Sequence, residues 1–176
     1  NYYSGISVVV DDKTSSGANT WTCPAGVTST EILIVAGGAG SSGYGGGGGA
    51  GGVVHNTSYT VVPAVEYDIT VGAGSAGTAY NVNPVNGSDS VFNVNSEGSG
   101  SPMTAVGGGL GSGTASAGGD GGSGGGGNGG HQTVGGSGTQ GDSGGGTGYG
   151  NDGGDAYASD STYSAGGGGG ANAAGV

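Results

Sequence analysis

The chain has almost no positive charge. Lys13 is its single basic residue against twelve acids, for a formal net charge of −11. A protein that grips a phosphate backbone needs a footprint of Lys and Arg. Nucleic acid is therefore not an expected partner, and anionic membrane surfaces are disfavoured on the same ground. Cysteine is equally scarce. Cys23 stands alone, without a partner for an internal disulfide and without a CxxC spacing, and it reads as a small residue beside a strand. No apolar run approaches the roughly 20 residues of a membrane span, so membrane insertion is not expected. There are four prolines and no sustained Gly-X-Y period, which excludes a collagen triple helix. No segment repeats its apolar residues with the helical period, so essentially no α-helix is expected. The chain opens on Asn1 rather than Met, as expected of a processed chain or a piece of a longer one, and the lack of a leader then says little about export.

What is abundant is glycine: 52 of 176 residues, several times the roughly 7% of ordinary proteins. Its distribution divides the chain. Up to about residue 106, β-branched and aromatic runs of strand length alternate with glycine stretches: ISVVV at 6–10, EILIV at 31–35, YTVV at 59–62, YDITV at 67–71 and SVFNV at 90–94. From residue 107 onward, 32 of 70 residues are Gly and large apolar side chains nearly vanish, so a conventional core cannot form there. The expected organisation is a β-rich unit over 1–106 with glycine loops, followed by a glycine-rich region over 107–176.

A glycine run can adopt the threefold left-handed extended helix, rising about 3.1 Å per residue with no internal hydrogen bonds. Its N–H and C=O groups point outward in three directions, and neighbouring rods satisfy them if the backbones approach closely. Only glycine permits that approach. Runs at 45–49, 107–109, 124–127, 144–146 and 166–170 are separated by Asn, Asp, Thr and Ser, which suit turns. The pattern reads as rod, turn, rod, with a flexible linker or tail as the competing reading. The fold class expected is all-β plus polyglycine II-type extended helices, a small β-sandwich-like unit with a glycine-rich layer. Gly126 and Gly168 are the rod positions expected to matter for packing and assembly.

The chemical motifs are few. Strand 31–35 runs into Gly38-x-Gly40-x-x-Gly43, the spacing of a dinucleotide-binding loop. That loop works only when a helix follows to hold the pyrophosphate. Here Tyr44 and five glycines follow, and such a run would cost a helix about 5 kcal/mol relative to alanine. No nucleotide cofactor is expected. His55 and His131 are far apart in sequence, with neither a nucleophile elbow nor a metal-spaced partner, so no catalytic residue is assigned. Asp152 and Asp155 sit in GNDGGDAY, a fragment of a Gly/Asp calcium repeat whose nine-residue period does not recur. They are the weak metal candidates, with calcium the ion they would take, and Asp120, Asp142 and Asp160 could meet them in space. Asn56-Thr57-Ser58 and Asn86-Gly87-Ser88 match glycosylation sequons, as chance allows in such a composition.

Taken together, WTCPAGV at 21–27, EILIVAGGAG at 31–40, GGGGGAGGVV at 45–54, YDITVGAGSAG at 67–77, NGSDSVF at 86–92 and TAVGGGLGS at 104–112 resemble the glycine-rich domain of phage tail-fibre and related appendage proteins. The resemblance covers residues 21–113 or so. It implies a β-rich head and, as in some adhesins, a bundle of extended polyglycine helices. The C-terminal half carries no clustered aromatic loops of the kind that bind receptors. The expected function is a non-enzymatic structural component of an extracellular or virion fibre, an adhesin-type appendage contacting a host surface. The alternative is a self-polymerising subunit of a prokaryotic cell-surface filament. Expected partners are further copies of the chain and a host cell-surface receptor, at an extracellular or virion location. Ile6, Val8 and Val10 form an apolar strand on a tether, which would pair within its own unit or complete the sheet of a neighbouring copy.

Overall fold

The structure is a computed structural model, and it describes residues 8–159 and 162–176. Nine strands occur in the order β1 (Gly17–Thr22), β2 (Ser29–Val35), β3 (Val53–Thr60), β4 (Glu66–Val71), β5 (Ser90–Phe92), β6 (Met103–Ala105), β7 (Thr147–Tyr149), β8 (Tyr157–Ser159) and β9 (Thr162–Ser164). One sheet has the order β1-β4-β5-β6, a second β2-β3-β7, and β8-β9 form a hairpin. Every strand pair is antiparallel. Among the described residues there is no α-helix, only a turn of 3-10 helix at Gly129–His131.

The two larger sheets enclose a side-chain core. In β2, Ile34 is buried while Leu33 and Val35 face out, the period-2 alternation of a half-buried strand. In β3 the buried positions change parity between Val54 and Tyr59. The cause is a register shift between Thr30 and Ile32, where β3 carries an extra residue. Phe92 is the hub. It stacks on Tyr67 at 5.4 Å and meets Tyr59 of the opposing sheet edge-on at 5.3 Å. The phenol groups are paired within this core: Tyr59 donates to the Ser101 carbonyl at 2.7 Å and accepts from the Asn93 amide at 2.8 Å, and the Val62 N–H donates to Tyr67 at 2.8 Å. Met103, Ala105, Cys23 and Val61 complete the cluster, with Trp21, Ile32 and Ile69 half-buried at its margin.

The two flanks of this sandwich differ. On one, segment 140–143 closes the margins of β6 and β7. The Thr104 N–H donates to Ser143 Oγ at 2.9 Å, the Val106 N–H to Gln140 Oε1 at 2.7 Å and the Gly148 N–H to Asp142 Oδ1 at 3.0 Å. On the other, β1 and β2 are the outermost strands, and no further described strand lies beside either.

One end of the sandwich continues into glycine segments. β2, β4, β6 and β7 run into residues 36–43, 72–78, 106–113 and 150–154, while 45–52 and 86–89 return into β3 and β5. The division expected at residue 106 is therefore crossed both ways. Glycines 45–52 lie among the rods of the C-terminal half, and β7 joins the sheet of the N-terminal half. β7 to β9 are three residues long, with sequences such as TGY, and show no apolar alternation by which to find them. Of the N-terminal apolar stretch, Val8, Val9 and Val10 lie outside any strand and are exposed, while Ile6 falls outside the described residues.

Candidate functional site

The glycine segments form a block in which backbone pairs with backbone at every third residue. Gly52, Gly49 and Gly46 donate in turn to Val106, Gly109 and Ser112. Gly47 and Ala50 donate to Gly166 and Gly169, Gly108 and Gly111 to Gly37 and Gly40, and Ser75 and Thr78 to Gly38 and Ser41. A β-ladder repeats every two residues; a spacing of three is what a threefold extended chain requires. Segment 122–127 lies at the centre. Ser123 and Gly126 donate to 50 and 47, Gly124 and Gly127 to 151 and 154, and Gly122 and Gly125 to 107 and 119. It also accepts from Gly109 and Ser112, Gly136, and Gly166 and Gly169. The neighbours are thus 45–52, 106–113, 118–121, 134–138, 150–154 and 166–170, six segments hydrogen-bonded to one.

Glycine is required here for space. A Cβ built on Gly126 collides with the Gly166 carbonyl, one on Gly168 with the Gly48 carbonyl and one on Gly124 with the Gly136 carbonyl. Gly126 and Gly168, singled out from the sequence, thus both lie on contacts between rods of the same chain. Two serines enter the interior fully buried. Ser112 Oγ donates to the Ser116 carbonyl at 2.5 Å, and Ser123 Oγ has no partner.

At the perimeter, Asp and Asn side chains take N–H groups that no further rod receives. Asp89, Asp120, Asp152 and Asp155 accept from Gly107, Ser137, Gly138 and Gly135 at 2.7–2.9 Å, and Asn83 and Asn86 from Gly113 and Leu110 at 2.8 and 2.9 Å. Asp152 and Asp155 each hold a glycine N–H rather than facing one another. Among the described residues no three His, Cys, Asp or Glu side chains come together as a metal site. His55 meets Glu31 at 2.7 Å on the surface, and His131 ends the 3-10 turn, well away from it in the chain. Gly38-x-Gly40-x-x-Gly43 leads into a turn and a rod, with no helix after it. Burial raises the pKa of the Cys23 thiol, and of the Tyr59 phenol, where desolvation outweighs the hydrogen bond from Asn93.

The end of the block remote from the sandwich gathers what sequence reading missed. The rods turn there at 43–45, 79–85 and through the β8–β9 hairpin, and each turn carries exposed tyrosine: Tyr44, Tyr80, Tyr157 and Tyr163. Tyr44 and Tyr80 meet edge-on at 5.9 Å. Tyr44 has φ 59, a left-handed conformation uncommon for a residue other than glycine, and its side chain is exposed. These residues are scattered along the sequence, and only the up-and-down course of the rods brings their turns to one end. No helix of the described structure is long and apolar enough to cross a membrane.

A β-sandwich prolonged by a glycine-rod block defines a glycine-rich structural class. A family model described as a glycine-rich domain matches residues 14–176, and the chain belongs to that family. No curated protein and no solved structure matches the chain.

Proposed function

We propose that this chain is a non-enzymatic structural component of an extracellular or virion fibre, with its rods in the polyglycine II conformation. The observation that carries this reading is the rod block. It is an interior in which backbone N–H and C=O groups pair from rod to rod with almost no side chain between them, an arrangement that suits bearing load. A tail-fibre or adhesin-type role, touching a host-surface receptor, is supported by the tyrosines on the distal turns, since aromatic rings held clear of a scaffold are favourable contact groups. A cell-surface filament is the second reading, favoured by one specific observation: an exposed Val8–Val10 segment coexists with an open sheet margin at β2. Immunogold electron microscopy of native material, using antibody against the folded chain, tests both. Label on fibres attached to virions supports the first, label along homopolymers emanating from cells supports the second, and label confined to the cell interior overturns both. Replacing Tyr44 and Tyr80 with Ala should reduce host adsorption while leaving thermal unfolding unchanged if the distal turns make the contact.

A further inference from the structure

On one flank of the sandwich, no described strand lies outward of β2. In the second sheet β2 and β3 approach β5 and β6, so the next position outward from β2 lies over β4 and β1. No described strand occupies it. Its floor is apolar and incompletely covered: Trp21 and Ile69 pack on the core yet stay half-buried. Its wall is the free edge of β2. The Ala36 N–H donates to the Gly52 carbonyl, so by alternation Ile34 and Ile32 face β3 while the backbone N–H and C=O of Leu33 point away from it. Leu33 and Val35 are respectively 65% and 55% exposed on the outer face. An uncovered strand edge with apolar side chains is a template for an added strand.

The chain also carries an exposed apolar segment of strand-forming sequence. Val8, Val9 and Val10 are 84%, 86% and 75% exposed, and the alternation puts Ile6, Val8 and Val10 on one face and Val9 on the other. Placed beside β2, three of these side chains would cover Trp21 and Ile69, and Val9 would extend the Leu33–Val35 surface. We infer that residues 6–10 of one copy fill this position in a second copy, antiparallel to β2. This rests on the filament reading and names its joint.

For a strand antiparallel to β2, chain geometry favours a second copy over the same chain. β1 begins at Gly17, opposite Val71, at the rod end of the sandwich. An antiparallel partner for β2 would end with Val10 at the opposite end. Residues 11–16 would then have to run back along the whole of β1, about 20 Å at roughly 3.3 Å per residue. That demands a fully extended link, whereas Ser15 and Ser16 bend and Lys13 pairs with Asp11 at 2.7 Å. A neighbouring copy has no such constraint. Because donor segment and acceptor groove are different surfaces, the contact propagates head to tail.

Complementary variants test the joint. A chain lacking residues 1–10 keeps the groove without the strand, and full-length Leu33→Pro keeps the strand while blocking the edge. Sedimentation velocity should find each alone monomeric, a mixture of the two forming a one-to-one dimer, and the unaltered chain forming larger species. A synthetic peptide of residues 3–12 added to the truncated chain should shift the amide resonances of Leu33 and its neighbours and leave those of β7 unmoved; this arm stands even if Leu33→Pro does not fold. Assembly of the truncated chain as readily as the unaltered one overturns the joint while leaving the filament reading intact. A monomeric unaltered chain in which residues 6–10 are already protected from hydrogen exchange overturns both. Peptide binding without shifts at β2 also overturns the joint.

Discussion

The sandwich and the rod block are built from one chain by opposite rules. In the sandwich, backbone pairs within two sheets, and large side chains such as Phe92, Tyr67 and Met103 fill the space between them. In the block, backbone pairs in three directions and the space between rods is too small for a methyl group. Both pair most of their interior N–H and C=O groups, the requirement common to all folded chains. The difference lies in what specifies the packing, side-chain volume in one and its absence in the other. Mutational sensitivity should therefore have opposite sign in the two regions.

The largest expected loss is on the sandwich side. Phe92→Ala removes the hub of the aromatic cluster and should cost about 3–5 kcal/mol in urea unfolding. On the block side the reverse change should hurt. The φ of Gly126 is not positive, so alanine there would ordinarily be tolerated and even stabilising by about 0.4–1 kcal/mol. The collision with the Gly166 carbonyl predicts instead a loss of about 2–3 kcal/mol for Gly126→Ala, more for Gly126→Val. A neutral Gly126→Ala would mean that the rods are not packed as described. Asp152→Ala should cost about 1 kcal/mol by orphaning the Gly138 N–H, whereas Asp152→Asn, which keeps the acceptor, should be nearly silent. If calcium were held there, added calcium would raise the midpoint for the unaltered chain and not for Asp152→Asn.

Alkali should separate the regions more gently. Burial holds the Tyr59 phenol neutral and its pKa above the ordinary value. Its contribution is complete below about pH 10, where the unfolded chain also keeps the proton, and is lost as pH rises through the folded pKa. Hydrogen exchange at high pH, corrected for intrinsic rates, should weaken in β3 and β5 before segment 122–127, and Tyr59→Phe should remove the difference. The smallest effect is expected at Ser123→Ala. The buried Oγ has no partner, so its removal should change stability by less than about 0.5 kcal/mol, if anything upward.

Legibility in the sequence followed the same divide. β2, β3 and β4 were readable because β-branched and aromatic residues cluster at strand length, and Pro63-Ala64 marks the turn between β3 and β4, with Ala64 at φ 62. The glycine runs at 45–49 and 124–127 were readable as candidate rods because Asn, Asp, Thr and Ser punctuate the runs, which a flexible linker would not need. Which rod lies beside which was not readable, since glycine carries no side chain to encode a partner. That ambiguity hid the central place of 122–127, the crossing at residue 106 and the gathering of Tyr44 with Tyr80. The residues 147–149 of β7 were invisible for a related reason: Thr-Gly-Tyr has no apolar alternation to mark a strand.

The Asp and Asn side chains around the block have a consequence for its size. Pure polyglycine has no reason to stop growing sideways, because each new rod meets a surface identical to the last. Here the outermost donors are already terminated by Asp89, Asp120, Asp152 and Asp155, and each termination leaves a negative charge facing water. The perimeter is passivated in the sense used for a crystallite: its bonding sites are filled and its charge repels a like surface. A block of this kind keeps a fixed cross-section.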